Sequence, residues 1–114
     1  MKFGGICITT NDAPGLAKFY ETVLQEKPHV KGSHYSFSQI AVWNPGDVKM
    51  AKEKNIWLQF FDGDIDALYK RLLQEIPSIV IITPPERKPW GAYSFWFLDP
   101  DGNKIAVAQV ENLS

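Results

Sequence analysis

Cysteine, histidine and charge of either sign are all scarce or balanced in this chain of 114 residues. One cysteine, Cys7, excludes an internal disulfide and a cysteine-based zinc site, and fits a reducing cytosol. A cytoplasmic location is the expectation. Twelve basic residues against 13 acidic ones leave a net charge of −1. Neither nucleic acid nor an acidic membrane surface finds a basic footprint here. No apolar run approaches the ~20 residues that span a bilayer. The N-terminal "MKFGGICITT" is too short for a secretory apolar region and reads as running straight into the fold. No phosphate loop, Ser/His/Asp set or Cys/His set stands out. The two histidines, His29 and His34, fall in an irregular region before the first module's last strand and read as surface residues.

Aromatic residues are what the chain has in quantity: 13% of it, with four tryptophans. With 45% hydrophobic and 22% charged residues, the chain reads as one globular domain, 1–114. Its plan repeats. Residues 3–9 read as a strand. Asn11 or Asp12 then caps a helix with Pro14 in its first turn, and Leu16, Phe19, Tyr20, Val23 and Leu24 mark its apolar stripe up to Pro28. Short strands follow near 28–31, 34–38 and 38–43. After a polar connection, 56–62 is a strand and Asp64 caps a second helix. Ile65, Leu68, Tyr69, Leu72, Leu73 and Ile76 form its stripe, and Pro77 ends it. "SIVIIT" is a strand, "PPERKP" a loop, and the last two strands form a hairpin around Asp99–Asn103, whose acids serve the turn. The expected fold is α+β, two βαβββ modules at about 1–50 and 51–114, in which a helix covers one face of each sheet and the other face needs a partner or becomes concave.

Strand parity divides the sheet residues. Ile6, Ile8, Ile40, Val42, Leu58, Phe60, Ile105 and Val107 are apolar and suit the helix-packed face. Opposite them fall Gly5, Cys7, Gln39, Ala41, Trp43, Trp57, Gln59, Phe61, Lys104, Ala106 and Ala108. Small, polar and aromatic groups in that mixture suit a hollow open to water better than a sealed core.

Several stretches resemble the vicinal oxygen chelate superfamily, which includes glyoxalases, bleomycin resistance proteins and extradiol dioxygenases. They are the Asp12…Phe19-Tyr20…Val23-Leu24 segment, the Asp64-Ile65-Asp66 helix start, and above all "PWGAYSFWFLDPDGNKI", residues 89–105. The resemblance implies that the two modules form a curved mixed sheet around a cavity, often completed in a homodimer. In its enzymes a divalent metal sits in the cavity on His, Gln or Glu. Those ligand positions carry Gly5, Ala41, Trp57 and Ala106 in this sequence. Their side chains offer no imidazole or carboxylate. No metal, no cofactor and no catalytic residue is therefore expected.

In place of the ligands stand rings. Trp43 and Trp57 share the mixed parity, and Tyr35, Trp90 and Trp96 lie on segments able to edge the hollow. Gln39, Gln59 and Phe61 complete the expected ligand-binding set. Planar π faces stack on flat molecules and attract cations, so a small planar or aromatic ligand, neutral or cationic, is the expectation. Two other readings stay open: a metal-dependent lyase or dioxygenase with unusual ligands, and a dimeric interaction module whose cavity Trp57 plugs.

Overall fold

The structure, a computed structural model, describes residues 1–111. The chain forms two units, Met1–Lys52 and the residues from Glu53 on. The first contains β1 (Ile6–Thr9), α1 (Ala13–Leu24), β2 (His29–Lys31), β3 (His34–Ser36) and β4 (Ile40–Trp43). The second contains β5 (Trp57–Asp62), α2 (Ile65–Glu75), β6 (Val80–Arg87), β7 (Tyr93–Leu98) and β8 (Lys104–Gln109). Each unit is α+β, a four-stranded mixed sheet with one helix, and the strand orders β1-β4-β3-β2 and β5-β8-β7-β6 are the same plan twice. In each, the first and last strands run parallel and the other pairs antiparallel.

The two helices start alike. The Asp12 carboxylate accepts the Gly15 N–H at 3.0 Å, and the Asp64 carboxylate accepts the Ala67 N–H at 3.1 Å. An Asp in this role satisfies a backbone donor that the helix itself leaves unpaired. α1 buries Ala13, Leu16, Ala17, Phe19 and Tyr20, and packs on β3 and β4. Val23 and Leu24 are only half-buried. The helix stops before Pro28, because Gln25 turns into the left-handed region with φ 53°. α2 fully buries Ile65 and Leu72 against β6, β7 and β8, whereas Leu73 is exposed.

Aromatic packing anchors the second sheet to α2. Phe95 and Phe97 are fully buried, with ring centroids 5.5 Å apart, and Tyr69 of α2 meets Phe95 edge-on at 5.3 Å. Five of the eight helix-face residues, Ile40, Val42, Leu58, Ile105 and Val107, are buried, and Ile6, Ile8 and Phe60 are half-buried. The Asp99–Asn103 turn is held by its first residue. Asp99 is buried and accepts the N–H groups of Asp101 and Asn103 at 2.9 and 2.8 Å and the Asn103 side-chain amide at 2.7 Å. That is turn chemistry, as the sequence implies.

Two strand expectations need correction. β1 begins at Ile6, not residue 3, because Gly5 has φ +126° and leaves the strand conformation. β6 continues through Pro84 and Pro85 to Arg87, where a loop was expected. It is an edge strand with register shifts between Ile81 and Thr83 and between Thr83 and Glu86, the setting that tolerates missing N–H donors. The short strands expected near 28–31 and 34–38 are β2 and β3, and they carry His29 and His34. No helix among the described residues is long and apolar enough to cross a membrane.

Candidate functional site

Cross-strand partners share a face of a sheet, so the register of the second sheet lays out its open side in rows. Trp57 of β5 stands beside Lys104 of β8. The next row runs Gln59, Ala106, Trp96 and Thr83 across β5, β8, β7 and β6. The third runs Phe61, Ala108, Ser94 and Glu86. Over this face opens a cavity of about 360 Å³, lined among others by Trp57, Gln59, Phe61, Trp90, Ser94 and Trp96, with Ala106 and Ala108 on its floor. This volume falls within the range of small-molecule sites.

The floor explains the walls. β8 lies between β5 and β7, and its two inward residues are alanines. The indoles of Trp57 and Trp96 therefore reach toward each other across it and meet edge-on, centroids 4.9 Å apart and planes inclined at 60°. A longer side chain at 106 would hold them apart.

Ammonium groups of the chain itself stand on both indoles. Lys88 Nζ lies 3.6 Å from the Trp96 ring centroid, with its side chain only 4% exposed. It donates to Glu86 Oε1 at 2.6 Å and Thr83 Oγ1 at 3.1 Å. Lys104 Nζ lies 5.4 Å from the Trp57 ring centroid. Ring area that the sequence offers to a cationic ligand is thus already held by lysines. Ser94 contributes the opposite kind of feature. It lines the cavity, and its hydroxyl oxygen is buried with no hydrogen-bond partner among the described residues.

Of the eight residues expected to bind a ligand, Trp57, Gln59, Phe61, Trp90 and Trp96 come together around this cavity. Trp90 and Phe61 are well exposed, at its rim. The other three lie in the first unit. Gln39 borders a second, more open hollow of about 290 Å³ with Gly5, Cys7, Ser36, Ser38 and Ala41. Trp43 is exposed on β4, its ring 6.4 Å from that of His34. Tyr35 pairs with Val42 and so lies on the helix-packed face, not with Ala41 and Trp43. Cys7, placed by parity on the open side, is exposed.

Sequence reasoning missed Ser94 and Lys88. Ser94 had a signal, since it stands two residues before Trp96 and therefore on the same face. Lys88 had none, because the two prolines before it disguise the end of β6.

The four family ligand positions divide between the two units: Gly5 and Ala41 border the hollow of the first unit, Trp57 and Ala106 the cavity of the second. At Gly5 a side chain is sterically excluded. A Cβ there would lie 2.6 Å from the Gln39 carbonyl oxygen, which accepts the Ile6 N–H at 3.0 Å. Among the described residues no three His, Cys, Asp or Glu side chains come together as a metal site. These residues do not fit the divalent metal that the fold's enzymes hold.

Residues 3–112 match the model of the glyoxalase-like domain family. Among solved structures, a protein of unknown function from Agrobacterium tumefaciens str. C58 is 26% identical, with a TM-score of 0.82 over 96% of this chain and 94% of that one. An integron cassette protein from the mobile metagenome of V. Pseudocholerae is 30% identical, with a TM-score of 0.69 over 98% and 96% of the two chains. A glyoxalase/bleomycin resistance protein/dioxygenase superfamily member from Sphaerobacter thermophilus DSM 20745 is 22% identical, covers 96% and 98%, has a TM-score of 0.73, and shares the fold. No curated protein matches the chain. The repeated βαβββ plan and the family match together make this chain a member of the glyoxalase-like family, within the vicinal oxygen chelate superfamily.

Proposed function

We propose that the open face of the second sheet binds a small planar organic molecule without a metal, and that the protein acts by binding. The observation that carries this reading is the pair of indoles meeting over an alanine floor in a cavity of about 360 Å³. Each ring contact adds roughly 0.5–1.5 kcal/mol. Gln59 supplies a donor and an acceptor at the same wall. The lining carries no acid, imidazole or thiol among its residues, so it offers no general acid or base.

2-Naphthamide is a suitable probe: flat, neutral and able to hydrogen-bond. At the efficiency usual for small ligands it should bind with a dissociation constant between roughly ten micromolar and one millimolar. In ¹H–¹⁵N spectra the indole N–H resonances of Trp57 and Trp96 are expected to move saturably as it is added. If neither moves up to the solubility limit of the probe, the cavity is a plug and the binding reading fails.

A further inference from the structure

We propose that the molecule this cavity takes is a planar aromatic acid, held through its negative charge by Lys104. The inference rests on the binding reading above and adds the charge of the ligand.

The first observation concerns what a cation would find. Trp96 already has the Lys88 ammonium on its ring, and Trp57 has that of Lys104 nearby. No residue lining the cavity is acidic. Glu86 shares the face through the Ser94 row, but its carboxylate is held by Lys88 at 2.6 Å. The Lys88–Glu86 pair is neutral as a whole, so a cationic ligand would meet the uncompensated charge of Lys104 and no free carboxylate.

The second observation concerns what an anion would find. Lys104 is only half-buried and forms no ion pair with any described residue. The register puts it beside Trp57, on the side of the sheet where the cavity opens. An aromatic body stacked against the Trp57–Trp96 pair would place a ring substituent within reach of that ammonium. The Gln59 amide is a further donor on the same wall. Hydrogen bonds to a charged group are stronger than those to a neutral one.

Three probes of one shape separate the charge from the ring: 2-naphthoate, 2-naphthamide and 2-naphthylmethylammonium, each titrated at low ionic strength against the Trp57 and Trp96 resonances. The acid is expected to bind roughly five- to tenfold tighter than the amide, and the ammonium more weakly than either. In Lys104→Met the ratio of acid to amide affinity should fall to near unity, and Lys104→Arg should keep it. Equal affinity for acid and amide in the unaltered protein, tighter binding of the ammonium, or a ratio untouched by Lys104→Met would each overturn the charge assignment while leaving planar binding intact. No response to any of the three would overturn both.

Discussion

Trp96→Ala is expected to abolish binding of 2-naphthamide and to lower the stability of the protein by about 3 kcal/mol. The indole is half-buried, so its packing loss belongs at the lower end of the range for tryptophan truncation. Two neighbours add to it. Trp57 loses its edge-to-face partner 4.9 Å away, and the Lys88 ammonium loses the ring 3.6 Å beneath it while remaining almost fully buried. A desolvated cation over a ring is worth ~2 kcal/mol. Glu86 and Thr83 still hold Lys88, which keeps the loss from growing further. In urea unfolding the midpoint should fall with little change in slope, and Tm should drop by roughly 10–15 °C. Trp96→Phe, which keeps a π face under the ammonium, should recover most of the stability. A loss under about 1 kcal/mol in Trp96→Ala would mean that the indole is not packed as described.

Gly5→His would install an imidazole at a position where the superfamily's enzymes hold metal, and the expected result is a damaged protein rather than a metal site. Gly5 has φ +126°, a region that is closed to L side chains and costs of order 1–3 kcal/mol when forced. The new Cβ would also meet the Gln39 carbonyl oxygen at 2.6 Å, and that oxygen cannot withdraw without giving up its hydrogen bond to the Ile6 N–H. Together the two effects amount to about 3 kcal/mol or more. Gly5→Ala should cost nearly as much, because the Cβ and not the imidazole is at fault. Added nickel or zinc should not restore either variant. Urea midpoints within about 1 kcal/mol of the unaltered protein would show that the backbone at Gly5 yields easily.

Gly5 also shows where a sequence stops being readable. That a glycine stands at a ligand position is plain from the motif. That the backbone forbids anything else depends on φ and on the approach of Gln39, which arrives from the other side of a long connection. The helices were legible for the opposite reason: Asp12 and Asp64 cap them through contacts three residues away, and the apolar stripes repeat within a single element. Parity counting worked inside the unbroken β5, and so Trp57, Gln59 and Phe61 were placed on one face. Tyr35 and Trp96 were read only as lying on segments able to edge the hollow. The register puts Trp96 there and Tyr35 on the helix-packed face, because the chain between Ser36 and Ile40 bends out of strand conformation and parity does not carry across it. The end of β6 was hidden by Pro84 and Pro85, which signal a loop unless the strand is known to lie at an edge. With that end hidden, Lys88 and its contact with Trp96 were out of reach.

A metal inventory of the purified protein tests most directly whether this hollow has given up cation chemistry for aromatic binding. Protein prepared without chelators, then exposed to zinc, nickel or manganese and desalted, is expected to retain only traces of metal and to melt unchanged. One equivalent of metal carried through desalting, raising Tm and lost when a side chain lining the hollow is removed, would contradict it.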